Sequence, residues 1–271
     1  MKKSVNHWAF VGEWSLEKCA NLAKEAGFSA MELNLAEEGV LTLTSTSQDV
    51  KKAAEIVRKT GLEVASLSSG LFWKYPLSSL KDEIRNKGKE VLQKMLTVAA
   101  DLGTDAILVV PGTVDDVTPY DVAYQRSQEA IKGAVPAAEK LKVSIGVENV
   151  WNKMLLSPLE MKRFITEVGS PFVAAYFDVG NVLVSGYPEQ WIRILGKLVK
   201  RIHLKDFKTS VGNITGFCDL LEGDVNYPAV IKALKDVGYN SYLTAEMGPY
   251  RDYPEMVLFQ TCRAMDKILS R

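Results

Sequence analysis

The strongest constraint on this chain is a repeated order of parts. A short apolar run is followed by a helical stretch with one apolar face, then a glycine, then the next apolar run. Helix, glycine, strand recurs at Gly27, Gly61, Gly103, Gly169 and Gly238. Glycine can end a helix in the left-handed conformation with no Cβ penalty. The apolar runs lie at 5–10, 30–35, 63–68, 106–110, 143–148, 173–178, 201–205 and 242–246. Periodicity predicts helices between and after them, over 15–26, about 48–60, near 79–102, 118–141, 157–169, about 188–199, 226–237 and 254–269. Eight strands alternating with eight helices, without linkers, favour a single α/β domain over 1–271, a (β/α)8 TIM barrel. A doubly wound sheet is the alternative, but neither GxGxxG nor GxxxxGK[ST] occurs.

Local chemistry agrees with this division. Ser15 is placed to cap the first helix, whose Leu16, Cys19, Ala20 and Ala23 share one face. In the second strand Met31, Leu33 and Leu35 point one way, and Ala30, Glu32 and Asn34 the other. Ser157, Pro158 and Glu160 predict a capping box with proline at the first helical position.

Composition limits the function. The 271 residues suit one large domain, and 47% hydrophobic content is ample for its core. Lysine plus arginine and aspartate plus glutamate are 33 each, which argues against a general nucleic-acid binder. No run of 18 apolar residues predicts a membrane span, and MKKSVNHWAF has no apolar signal stretch. Cys19, Cys218 and Cys262 are odd in number and far apart. Reduced thiols and a cytoplasmic protein are expected, and a structural zinc cluster is not.

Four consecutive runs in the second half each end in a metal-ligand residue: Glu148 in GVENVWN, Asp178 in YFDVGN, His203 in RIHLKDF and Glu246 in YLTAEM. An apolar run is a costly place for a charge unless something pairs with it. In a (β/α)8 barrel these positions fall at the C-terminal ends of strands five to eight, where active sites are built. Three carboxylates and one imidazole on adjacent strands predict one divalent cation. Mn²⁺ is the first choice, with Mg²⁺, Co²⁺ or Zn²⁺ as alternatives.

The motifs GVENVWN, FDVGN, HLKDF and EGDVNYPAVIKALKDVGYNSYLTAE resemble the xylose-isomerase-like barrel superfamily. Within it they are most similar to sugar-phosphate isomerases/epimerases, especially pentulose-5-phosphate and ketose 3-epimerases. The resemblance implies a metal site of Glu148, Asp178, His203 and Glu246, with Glu148 and Glu246 also the acid/base pair. Free-ketose epimerases carry a histidine where this chain has Asn181 and a second glutamate where it has Met154. The phosphopentulose branch has a similar Asp-x-Gly-Asn.

The implied reaction is proton transfer alpha to a ketose carbonyl, in a sugar or sugar phosphate. Lys205 shares a strand face with His203 and is expected to reach a substrate oxygen. His7, Glu32 and Asn181 are further candidate substrate contacts. Trp14, Trp73 and Trp151 each follow a strand and are candidate apolar walls. Lys208, Thr209, Ser210 and Gly212 form a loop that could take phosphate. Aldose–ketose isomerisation, an inositol-catabolism-type dehydration and a non-catalytic sugar-binding barrel remain alternatives. Endonuclease IV chemistry needs a histidine-rich three-metal site, and this chain has two histidines. A homo-oligomer is left open.

Overall fold

The computed structural model describes residues 1–270. Eight parallel strands close a ring: β1 (Lys2–Asn6), β2 (Ala30–Ala36), β3 (Glu63–Ser68), β4 (Ala106–Val109), β5 (Ser144–Glu148), β6 (Val173–Asp178), β7 (Val199–Leu204) and β8 (Tyr242–Ala245). Each pairs with its sequence neighbour, and β1 pairs with both β2 and β8. The helices α1 (Leu16–Ala26), α2 (Ser47–Lys59), α3 (Asp82–Leu102), α4 (Tyr120–Leu141), α5 (Pro158–Val168), α6 (Pro188–Leu195), α7 (Tyr227–Asp236) and α8 (Met256–Leu269) connect them or follow the last. This is the (β/α)8 barrel that the alternation predicts.

The first strand ends earlier than expected. It stops at Asn6 because the Asn6 carboxamide oxygen accepts the Trp8 backbone N–H at 2.7 Å and turns His7–Ala9 into a 3-10 turn. A one-turn helix at Leu71–Lys74, which the periodicity does not signal, precedes α3. Ser15 caps α1, and Gly27 closes it at φ 101°. The box expected at α5 is half present. Ser157 Oγ accepts from Glu160 N at 3.2 Å, but the Glu160 carboxylate instead takes the Tyr120 hydroxyl and Leu156 N. A complete box stands at α2, between Thr46 and Asp49.

Outward strand residues such as Leu33, Leu35, Phe177, Ile202 and Leu204 are wholly buried under the helices. Each such side chain contributes on the order of 1.5–3 kcal/mol relative to exposure. The inward faces are polar, with Asn6, Glu32, Ser66, Tyr176 and His203 also without solvent contact. Buried polar groups at this density need partners, and nearly all have them. Space is tight here. A Cβ on Gly146 of β5 would lie 2.9 Å from both Ile107 O and Tyr176 Cβ, so the glycine makes room for the tyrosine.

Strand β7 alternates Arg201, His203 and, just past its end, Lys205 on the inward face, one cation above another. Arg201 closes the bottom of the barrel. Its guanidinium donates to Ala65 O at 3.0 Å, to Ser241 Oγ at 3.1 Å and to the Asp105 carboxylate.

Candidate metal centre and active site

Glu148 is the last residue of β5, Asp178 the last of β6, and His203 the penultimate residue of β7; Glu246 follows β8 directly. Asp178 and Thr244 are the register partners of His203, so three neighbouring strand ends are level. The four side chains each offer one ligand atom, all within 4.8 Å of one another. His203 Nδ1 lies 2.6 Å from Glu246 Oε2, 3.5 Å from Glu148 Oε1 and 4.0 Å from Asp178 Oδ2.

The donors are oriented from behind. Glu32 Oε1 lies 2.7 Å from His203 Nε2 and accepts from Asn6 Nδ2 at 2.5 Å. Its other oxygen takes Ser66 Oγ at 2.6 Å and the Tyr176 hydroxyl. A proton on Nε2 donated to Glu32 leaves the Nδ1 lone pair facing the carboxylates. Asp178 is fixed similarly. Its Oδ1 accepts Asn181 N at 2.8 Å, and its backbone exchanges two 2.8 Å bonds with the Asn149 carboxamide.

Two buried atoms of this cluster, Asp178 Oδ2 and His203 Nδ1, make no well-formed hydrogen bond; their nearest charged neighbours are the Lys205 ammonium at 3.2 Å and the Glu246 carboxylate at 2.6 Å. Native proteins rarely leave buried polar atoms unsatisfied in this way. Here both face the converging carboxylates, so the donor set fits a divalent cation as a fourfold oxygen and nitrogen centre.

The charges are strongly perturbed. Burial pushes Glu148 up to about 7, with the Glu246 charge adding to it and His203 opposing. Burial also raises Asp178. Glu246 feels the same burial, but Lys205 and His203 hold it down at about 2. Burial opposes the Lys205 ammonium, yet Asp178, 3.2 Å away, and Glu246, 3.0 Å away, raise it above its usual range. Burial likewise opposes charge on His203, and Tyr176, Glu32 and Glu246 together hold it well above its usual range. Glu32, despite its burial, is kept below the ordinary carboxylate range by His203, Ser66 and Tyr176.

A cavity of about 240 Å³ opens over the cluster, with Glu148, Glu246, Lys205 and Asn181 in its lining. Trp151 joins the wall, its indole N–H bonded to Asn181 O at 2.8 Å, and packs edge-on against Phe207. Two expected substrate contacts fall elsewhere. Glu32 is wholly buried behind His203 and outside the lining, where it orients the imidazole. His7, carried off the strand by the Asn6 turn, packs near Phe10 and is also outside the lining. Its neighbour Trp8 lines the cavity, as do Ser69, Trp73, Ile214 and Phe217, whereas Trp14 sits against Lys18. The only signal for Trp8 was its place beside the end of β1. Phe217 arrives by a two-residue antiparallel pairing of Asp206–Phe207 with Phe217–Cys218. The 208–213 loop does not reach the cavity lining. Thr209 bonds the Asp224 carboxylate through N and Oγ1 at 2.7 and 2.5 Å, and Lys208 lies 3.7 Å from Glu222.

A closed parallel barrel carrying a four-residue cation centre at the ends of β5 to β8 defines a class, and the chain belongs to it. Residues 20–267 match the family of xylose isomerase-like TIM barrels. Among its relatives, the L-ribulose-5-phosphate 3-epimerase UlaE of Salmonella heidelberg (strain SL476) is 25% identical over 266 residues, 94% of this chain and 89% of the relative. A D-tagatose 3-epimerase-like protein superposes with a TM-score of 0.84 at 19% identity, over 100% of this chain and 97% of that one. D-psicose 3-epimerase from Clostridium cellulolyticum H10, solved with D-tagatose, gives 0.82 at 16% identity, over 100% and 99%. At these identities the superpositions establish the shared fold. No helix among the described residues is long and apolar enough to cross a membrane.

Proposed function

We propose that this protein is a divalent-metal-dependent carbohydrate epimerase acting at C3 of a ketose or ketose phosphate. The observation that carries the reading is that two carboxylates, Glu148 and Glu246, reach one small cavity from opposite ends of the four-strand arc that holds the cation cluster. A proton alpha to a ketose carbonyl is weakly acidic. Inversion needs one group to remove it and a second, on the other face, to return one. Glu148 and Glu246 take these two roles. Lys205 beside Glu246 offers a positive charge to the substrate oxygens, and Asn181 and Trp151 form the wall against which the sugar is positioned. A divalent cation would be held by Glu148, Asp178, His203 and Glu246 and would supply positive charge to stabilise the oxyanion that develops when the proton leaves. Three oxygens and one nitrogen favour Mn²⁺ for it, with Mg²⁺, Co²⁺ and Zn²⁺ as competitors.

The names of UlaE and of the D-psicose and D-tagatose epimerases support 3-epimerisation as the reaction. The free thiols of Cys19, Cys218 and Cys262 fit the reducing cytoplasm. Turnover of ketoses and ketose phosphates in D₂O with Mn²⁺ tests the reading. Deuterium should appear at C3 of the product, and Glu148→Gln and Glu246→Gln should each abolish net epimerisation, with metal content measured alongside. Deuterium confined to C1 or C2 would assign an aldose–ketose isomerase instead.

A further inference from the structure

The cavity over the cation cluster has two unlike halves. Its floor carries the charges, and its walls, apart from Ser69 and Asn181, are largely carbon, supplied by Trp8, Trp73, Val110, Trp151, Ile214 and Phe217. Trp73 is 51% exposed and Ile214 66% exposed, large apolar surfaces left open among the described residues. Among the described residues of the lining, Lys205 is the one cation, and Asp178 and Glu246 already hold its ammonium at 3.2 and 3.0 Å.

The cluster and its support contain four carboxylates, Glu32, Glu148, Asp178 and Glu246, against two basic side chains, His203 and Lys205. With His203 neutral, as a ligand must be, Lys205 and one divalent cation leave that set about one negative charge in excess, with no positive charge left over. Other lysines are engaged or outside. Lys74 Nζ sits 2.7 Å from Glu37, Lys208 lies 3.7 Å from Glu222, and Lys153 lines the neighbouring groove. A phosphate dianion on the far end of a sugar would meet aromatic and aliphatic walls, where an unpaired charge is strongly disfavoured. Indole and phenyl faces carry the negative side of their quadrupole, which disfavours it further. The C–H-rich end of an uncharged sugar suits the same walls.

We infer that the substrate of this site is an unphosphorylated ketose, or one with an apolar substituent at its far end, seated against Trp8, Trp73, Ile214 and Phe217. The chemistry at C3 rests on the epimerase reading above; the charge of the ligand rests on the walls and on the charges of the cluster. The test uses the full chain reconstituted with Mn²⁺ and two matched pairs, L-ribulose with L-ribulose 5-phosphate and D-fructose with D-fructose 6-phosphate. Exchange at C3 is followed by NMR in D₂O, and binding is followed separately by quenching of tryptophan fluorescence. The free sugar of a pair should exceed its phosphate by about 100-fold or more in kcat/KM. Ile214→Lys, which adds a cation to the wall, should raise turnover of the phosphate at least about tenfold. A parent protein that turns over the phosphate as well as or better than the free sugar overturns the inference. If neither sugar exchanges, the epimerase reading falls and binding decides. Quenching by the free ketoses and not by the phosphates upholds the inference, and tighter phosphate binding, or no quenching by either, overturns it.

Discussion

Glu32→Gln isolates the contribution of the carboxylate behind the metal-facing histidine. In the parent, Oε1 receives Asn6 Nδ2 at 2.5 Å and lies 2.7 Å from His203 Nε2, while Oε2 receives Ser66 and Tyr176. A glutamine amide nitrogen at the Oε1 place would oppose two donors, so it must turn to the Ser66 and Tyr176 hydroxyls, which can rotate to accept. The oxygen then keeps its bond to His203, and what disappears is the negative charge. Hydrogen bonds to charged groups contribute roughly 1.5–3 kcal/mol and neutral ones roughly 0.5–1.5, a difference of about 1–1.5 kcal/mol. Losing a carboxylate partner of a ligating histidine weakens metal binding by about 10–100-fold, or about 1.4–2.7 kcal/mol. The two figures overlap, and calorimetric titration of the stripped protein with Mn²⁺ at one pH should give a Kd about tenfold weaker. Glu32→Ala is the poorer probe, because orphaning the donors of Asn6, Ser66 and Tyr176 costs about 1–3 kcal/mol each and threatens the fold itself. A glutamine variant that binds Mn²⁺ as tightly as the parent would refute the orienting role of Glu32.

Four further outcomes are expected. Metal affinity should rise with pH through about 7, because Glu148 there and His203, itself held well above its usual range, must shed protons to bind the cation; proton release in two buffers of different ionisation enthalpy measures it, and a flat profile is the contrary result. Chelation should lower stability, by about 2.7 kcal/mol if the metal had been present at 100 times its Kd, read as a fall in Tm on adding EDTA. Gly146→Ala should cost about 1–3 kcal/mol in chemical denaturation, since the new methyl meets Ile107 O and Tyr176 at 2.9 Å. Burial opposes ionisation of Asp105, but Arg201 and Lys200 hold it below its usual range, so the pair adds stability above the unfolded carboxylate value, lost as pH falls through the folded one; Asp105→Asn should therefore lower the unfolding free energy near neutrality by no more than about 1 kcal/mol for so exposed a carboxylate, with the difference from the parent closing in acid.

The barrel was readable because its signals are local and repeated. A helix, a glycine and an apolar run identify a βα unit each time, and the strand ends then place Glu148, Asp178, His203 and Glu246 on one rim. What resisted reading was set by distant partners. Glu32 alternates with Met31 in the sense expected, yet whether it meets substrate or supports His203 depends on Tyr176, 144 residues away. Trp8, to which the sequence assigns no role, lines the cavity in place of His7 because a single carboxamide, that of Asn6, ends the strand early. Glu160 was placed at a capping position but was taken by Tyr120, 40 residues upstream. Phe217 and Ile214 reach the cavity through a pairing of two residues per strand, too short to leave any periodic trace.

The cation cluster and half of the apolar wall come from different parts of the ring. The four donors stand on β5 to β8, while Trp8, Ser69, Trp73 and Val110 follow β1, β3 and β4. The chain therefore separates, along its own length, the part that performs the chemistry from much of the part that chooses what is presented to it. Substitutions after β1, β3 and β4 can reshape the wall while the four-residue cation cluster stays intact. A library confined to positions 8, 69, 73 and 110 should change which ketose is preferred far more often than it abolishes metal binding.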